Sequence, residues 1–87
     1  MKPRDEEESP VDESLWQALR ECRRQLAQAK GVPPYLIFHD KTLKEMIRRR
    51  PENLREMAGV SGVGAHKLKT YGEEFLKILS GYSGGDS

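Results

Sequence analysis

Apolar residues recur along the first third of the chain with a helical step. Leu15, Leu19, Cys22, Leu26 and Ala29 are separated by four, three, four and three residues, which puts them on one helix face and fits no strand alternation. The spacing predicts a first helix over 14–30, capped by Asp12 or Ser14 and ended by Gly31. Trp16 falls beside the stripe, and Arg20, Arg23, Arg24 and Lys30 fall on the opposite face. The run Val32-Pro33-Pro34-Tyr35-Leu36-Ile37-Phe38 comes next. Its two prolines forbid helix continuation and hold the chain extended. Exposing Leu36, Ile37 and Phe38 together is unfavourable, so a buried, extended crossover is expected, and no second strand is present to pair with it.

Asp40 is placed to cap a second helix over 41–50, with Leu43, Met46 and Ile47 inward and Pro51 as its stop. A short third helix over 52–58 follows, with Leu54 and Met57 inward. The segment 59–64 then turns into a last helix over 65–80 that carries Leu68, Tyr71, Phe75 and Leu79 on one face. Gly72 inside that helix signals close packing, a kink or a break. The fold class that results is all-α: a compact bundle of four to five helices with an extended Pro-Pro crossover between helices one and two.

Charge divides the chain. Residues 1–13 hold six acidic side chains against Lys2 and Arg4, with Pro3 and Pro10 and almost nothing apolar. Such a segment cannot bury enough surface to offset its ordering entropy, so 1–13 is expected as an acidic disordered tail, 14–80 as the folded domain and 81–87 as a flexible end. The whole chain has a formal charge of +1, yet residues 14–80 carry thirteen Lys/Arg and seven Asp/Glu. A basic domain beside an acidic leader suits a polyanionic partner, and equally suits solubility alone. Cys22 is the one cysteine, which excludes a disulfide framework or thiolate cluster and fits a reducing, intracellular setting. No apolar run approaches the roughly 20 residues of a membrane span, and the N-terminus lacks a signal peptide's apolar core.

Catalytic chemistry finds no foothold. His39 and His66 are the two histidines and have no metal-ligand spacing. The paired glutamates Glu73-Glu74 and Glu52/Glu56 read as solvated helix faces without a pocket to raise a pKa. The chain is therefore expected to be a monomeric binding module, without a cofactor and not itself an enzyme. Three features bear on what it binds. Gly62-Val63-Gly64 precedes the last helix, where it is either a backbone cradle for phosphate or a tight corner between packed helices. His66, Lys67 and Lys69 crowd the same turn, and Lys41, Lys44 and Arg48 form a stripe on helix two. The Arg48-Arg49-Arg50 triplet is explained by the helix dipole alone. Tyr35, at the rigid proline corner, either offers its ring to an unstacked base or lies half-buried with its hydroxyl on a carbonyl.

These blocks, taken in order, resemble a known family. Leu15 with Leu19, then Gly31 to Phe38, Asp40 to Met46, Pro51, Leu54 to Met57, Val60 to Gly64, Lys67-Leu68 and Tyr71 to Phe75 are similar to the HRDC (helicase and RNase D C-terminal) domain. The Val-Pro-Pro-Tyr form followed by Gly-Val-Gly is most similar to HRDC domains of bacterial RecQ-family DNA helicases, with RNase D the alternative parent. The resemblance implies an accessory helical domain tethered to an ATP-dependent helicase core in the bacterial cytoplasm, at the nucleoid. It further implies weak binding of single-stranded or partly single-stranded DNA and a tuning of substrate choice. Tyr35 matches the family's tyrosine, and the expected footprint takes in Arg23, Arg24, Lys30, Tyr35, Lys41, Lys44, Gly62, Gly64, His66 and Lys67. Some relatives open helix one with a basic residue, whereas this chain has Ser14-Leu15-Trp16 behind Asp12 and Glu13, which moves the footprint toward Lys30, Tyr35, Lys41 and Lys67. Other family members contact proteins or the helicase core instead, so docking on the core or on a repair protein is the competing expectation.

Overall fold

A computed structural model describes residues 10–83, with side chains from 13 to 81. Four α-helices and one 3-10 turn make up the described chain: α1 (Pro10–Lys30), the 3-10 turn (Pro34–Leu36), α2 (Asp40–Arg49), α3 (Leu54–Ala58) and α4 (Ala65–Ser83). α1 packs against α2, α4 and the 3-10 turn, while α3 packs on α4. No strand occurs among the described residues, and none of the helices is long and apolar enough to cross a membrane.

α1 begins four residues before the expected start. Pro10 suits a first helical turn, where its missing N–H goes unneeded, and the acidic Glu13 favours the positive end of the helix dipole. Residues 10–13 thus belong to the helix and not to a tail, and α4 likewise runs on to Ser83; residues 1–9 and 84–87 lie outside the described residues. Gly31 closes α1 with φ at 71°. Its N–H donates to the Gln28 carbonyl at 3.2 Å and that of Val32 to Ala27 at 3.0 Å, a paired arrangement that needs a left-handed residue.

The core is one cluster: Leu15, Leu19 and Ala27 from α1, Ile37 and Phe38 after the 3-10 turn, Leu43 and Met46 from α2, Met57, Val60 and Val63 around the α3–α4 corner, and Tyr71, Phe75 and Leu79 from α4. Phe38 stands edge-on to both Phe75 and Tyr71, with centroids 5.1 and 6.0 Å apart, and such pairs add about 0.5–1.5 kcal/mol each beyond their burial. The buried row of α1 is rotated from the expected stripe: Ala27 faces in and Ala29 is exposed. Cys22 is half-buried against the core, where loss of solvation, then the Glu74 charge, push its thiol up to about 11. Gly72 marks close packing in an unbroken α4, since a Cβ there would meet Leu54 Cδ2 at 2.9 Å. Leu54 lies over that glycine with its outer side in solvent, not wholly inward.

Two helix starts also differ from expectation. His39, without a side-chain hydrogen bond, precedes α2, and Asp40 is the first helical residue. α3 starts at Leu54 behind Asn53, whose side chain accepts the Glu56 N–H at 2.8 Å while the Glu56 carboxylate accepts the Glu52 N–H at 2.8 Å. α2 ends on Arg50 in the left-handed region, with φ at 50°. The Arg50 N–H reaches the Met46 carbonyl and its Nε the Ile47 carbonyl, and Pro51 prevents a further turn.

Candidate nucleic-acid interface

The prolines do not carry the chain straight across the bundle. Pro33 is extended, with φ −64° and ψ 148°, but Pro34 then opens a 3-10 turn closed by Leu36 N–H to the Pro33 carbonyl at 3.0 Å and Ile37 N–H to Pro34 at 2.9 Å. Proline's fixed φ suits the first position of such a turn. The turn corrects the expected buried crossover, because it divides the apolar run: Ile37 and Phe38 drop into the core, while Tyr35 and Leu36 stand out at 54% and 47% exposure. The Tyr35 ring is therefore open to solvent and stacks on His39, with centroids 6.0 Å apart and planes 28° from parallel.

Tyr35 lines a shallow cleft with Arg23, Pro34, His39, Asp40 and Lys41. A second cleft, lined by Gln17, Arg20, Glu21, Arg23, Arg24 and Pro34, meets the first at Arg23 and Pro34. The cations around them differ in their freedom. Lys41 is exposed and forms no ion pair with a described residue. Arg24 is held by Glu21, with Nε to Oε1 at 3.0 Å and Nη2 to Oε2 at 2.6 Å. That pairing, with a second hydrogen bond from Gln25, holds the Glu21 carboxyl down to about 2 and raises Arg24 in turn. Arg20 and Lys44 lie against one indole: their charged groups are 5.6 and 5.5 Å from the Trp16 centroid. The Trp16 ring is thus engaged by cations from α1 and α2 and serves to hold them in place.

Arg23 requires a correction. It does not lie on a solvent face with Arg20 and Arg24 but is 8% exposed, in register with Leu15, Leu19 and Ala27. Its Nη1 donates to the Phe38 carbonyl at 2.9 Å and pairs with the Asp40 carboxylate at 2.7 Å, which offsets part of the cost of burying the charge. The buried Nε has no partner among the described residues.

The remaining predicted residues lie elsewhere. Lys30 and Lys67 each lie against a core aromatic ring, the former 5.6 Å from the Tyr71 centroid and the latter 5.9 Å from that of Phe38. Gly62 is a packing corner: its φ is 93°, and its Cα faces the buried Thr42 so closely that a Cβ would overlap the hydroxyl. Val63 beside it is buried. Gly64 faces open space and its carbonyl accepts the Leu68 N–H as α4 begins. His66 is exposed, and its carbonyl accepts the Thr70 hydroxyl. Of the basic triplet, Arg48 and Arg49 pair with Glu45.

The arrangement offers an aromatic face, an ammonium group and two more cations on one side of the bundle. Among the described residues no group of three His, Cys, Asp or Glu side chains is placed to hold a metal ion. The stacking of His39 on Tyr35, and of two cations against Trp16, are contacts of the candidate site that residue order did not disclose.

Comparison with known proteins gives a consistent picture. The family model of the HRDC domain matches residues 12–79. The ATP-dependent DNA helicase RecQ of Bacillus subtilis is 39% identical over 72 residues, 83% of this chain and 12% of the helicase. RecQ of Haemophilus influenzae is 38% identical over 68 residues, 78% of this chain and 11% of that protein. The ATP-dependent DNA helicase UvrD2 of Mycobacterium tuberculosis is 34% identical over 71 residues, 82% and 10% of the two chains. The chain thus spans about a tenth of the length of these relatives. Among solved structures, the third HRDC domain of D. radiodurans RecQ aligns with a TM-score of 0.77 at 34% identity, over 80% of this chain and 92% of that one.

Proposed function

The chain belongs to the HRDC domain family, a non-catalytic accessory domain, and from that premise we propose that it binds unpaired DNA on behalf of a bacterial, cytoplasmic RecQ-type helicase, through the corner that carries Tyr35. A base stacks on the Tyr35 ring, an interaction worth about 1–3 kcal/mol, while Lys41 and the cations of the adjoining cleft take the phosphates. The observation that supports this reading is the 54% exposure of Tyr35 in a cleft shared with Lys41. Few phosphates are within reach, so affinity is weak, with Kd on the order of 10⁻⁴–10⁻⁶ M, and falls with salt. Stacking and charge do not read base edges, so sequence preference is slight. In the parent protein such a contact tunes substrate choice by favouring DNA with an unpaired segment.

Titration of the chain with oligo-dT, followed by amide and aromatic NMR signals, tests the reading. Resonances of Tyr35, His39 and Lys41 are expected to move at low salt and to return as salt is added; no movement at low salt overturns it. One observation favours a second reading, docking on the helicase core or a repair protein: Leu36 and both prolines are exposed beside Tyr35, an apolar knob suited to a protein surface. In that case the chain added in trans perturbs the core without DNA, and Tyr35→Ala leaves DNA affinity unchanged.

A further inference from the structure

Arg23 is set apart from the other cations by where its hydrogen bonds go. Its Nη1 donates to the carbonyl of Phe38 and pairs with Oδ1 of Asp40. These two acceptors flank a single residue, His39, whose ring stacks on Tyr35. Both sides of the His39 backbone are thereby tied to α1 by one side chain that α1 itself buries. The His39 carbonyl accepts the Thr42 and Leu43 N–H groups as α2 begins, but its ring has no capping hydrogen bond there, so the ring's approach to Tyr35 depends on where the backbone on either side of it is held. Asp40, in turn, does not spend its carboxylate on capping α2; it faces Arg23 with 64% of its side chain still in solvent.

We infer that Arg23 is a positioning residue: its clamp on Phe38 and Asp40 holds His39 against Tyr35 and so presents the tyrosine ring to an incoming base. Its Nη1 is committed to these two acceptors, and the role assigned to Arg23 is to place His39, not to contact phosphate. The inference rests on the strand-binding reading above and deepens it. It also reverses the sign that simple electrostatics assigns to Asp40. A carboxylate in a cleft with Lys41 and His39 repels phosphate, so charge alone makes its removal tighten DNA binding. As the anchor of the clamp, its removal instead loosens His39 and weakens binding.

Asp40→Ala and Asp40→Asn provide the test, with urea unfolding of each measured alongside so that affinity is taken per folded molecule, because Asp40→Ala leaves the buried Arg23 guanidinium with the Phe38 carbonyl alone. Oligo-dT affinity is measured at low salt, and the contact between the Tyr35 and His39 rings is followed by NMR without DNA. The clamp predicts that Asp40→Ala lowers affinity by roughly threefold to tenfold, the effect of one net hydrogen bond, and weakens the ring contact. Asp40→Asn keeps an acceptor oxygen and is expected to recover most of both. Affinity of Asp40→Ala at or above that of the unaltered chain, or a ring contact unchanged in that variant, overturns the clamp alone. If the unaltered chain does not bind oligo-dT, the strand-binding reading falls, and the clamp's role in it falls too.

Discussion

Two corners of this small bundle are built from the residues that punctuate helices, and they face opposite ways. At Pro33-Pro34-Tyr35 the fixed proline dihedrals start a 3-10 turn that puts the tyrosine in solvent. At Gly62-Val63-Gly64 the missing side chain lets the backbone press onto Thr42 and sends Val63 into the core. A rigid corner with a large side chain becomes a surface to be touched, whereas a permissive corner without one becomes a joint. The glycine corner is a packing joint, and on the proposed reading the proline corner is the one that serves recognition.

Substitutions at the two corners are expected to separate those roles. Gly62→Ala has the largest effect: left-handed strain and overlap with a buried threonine cost about 2–4 kcal/mol in urea unfolding, while DNA affinity per folded molecule is retained. A loss of affinity without a loss of stability would put the phosphate cradle back at the glycine corner. Tyr35→Ala reverses the pattern, weakening oligo-dT binding by about 1–3 kcal/mol with stability within about 0.5 kcal/mol of the original. Gly64→Ala, in open space, costs less than about 1 kcal/mol and is a control for the first variant. The smallest effect belongs to Glu21, on the α1 side of the cleft that adjoins the proline corner. Its carboxyl is held at about 2 against an ordinary 4.5, so its pairing with Arg24 stabilises the fold above pH 4.5 and is lost as pH falls through about 2. The stability gap between the unaltered chain and Glu21→Gln is expected to be small, because the pair is exposed, and to close over that interval in acid unfolding.

Much of the helical scaffold was legible because three- and four-residue spacings of leucine, methionine and phenylalanine have one physical solution. The family resemblance was legible from ordered blocks, and Tyr35 from the rigidity of the prolines before it. Arg23 was not. It occupies the four-residue row of Leu15 and Leu19, but a charged side chain is read as facing water unless its partners are known, and those partners lie fifteen and seventeen residues away across a turn. The exposure of Leu36 was hidden for a related reason: an apolar run says that burial is favourable, not where a 3-10 turn will divide it. Asn53 was within reach, since asparagine followed three residues later by glutamate is a helix-start signature. That Lys30 and Lys67 lie against Tyr71 and Phe38, two rings in mutual contact, is revealed only by the packed core.

The chain has one tryptophan, and it sits where two helices meet, with a charged group from each against its ring. Any loosening of α1 from α2 changes the polarity around that indole. Its intrinsic fluorescence is thus a label-free gauge of this seam, separable by wavelength from the emission of the chain's three tyrosines.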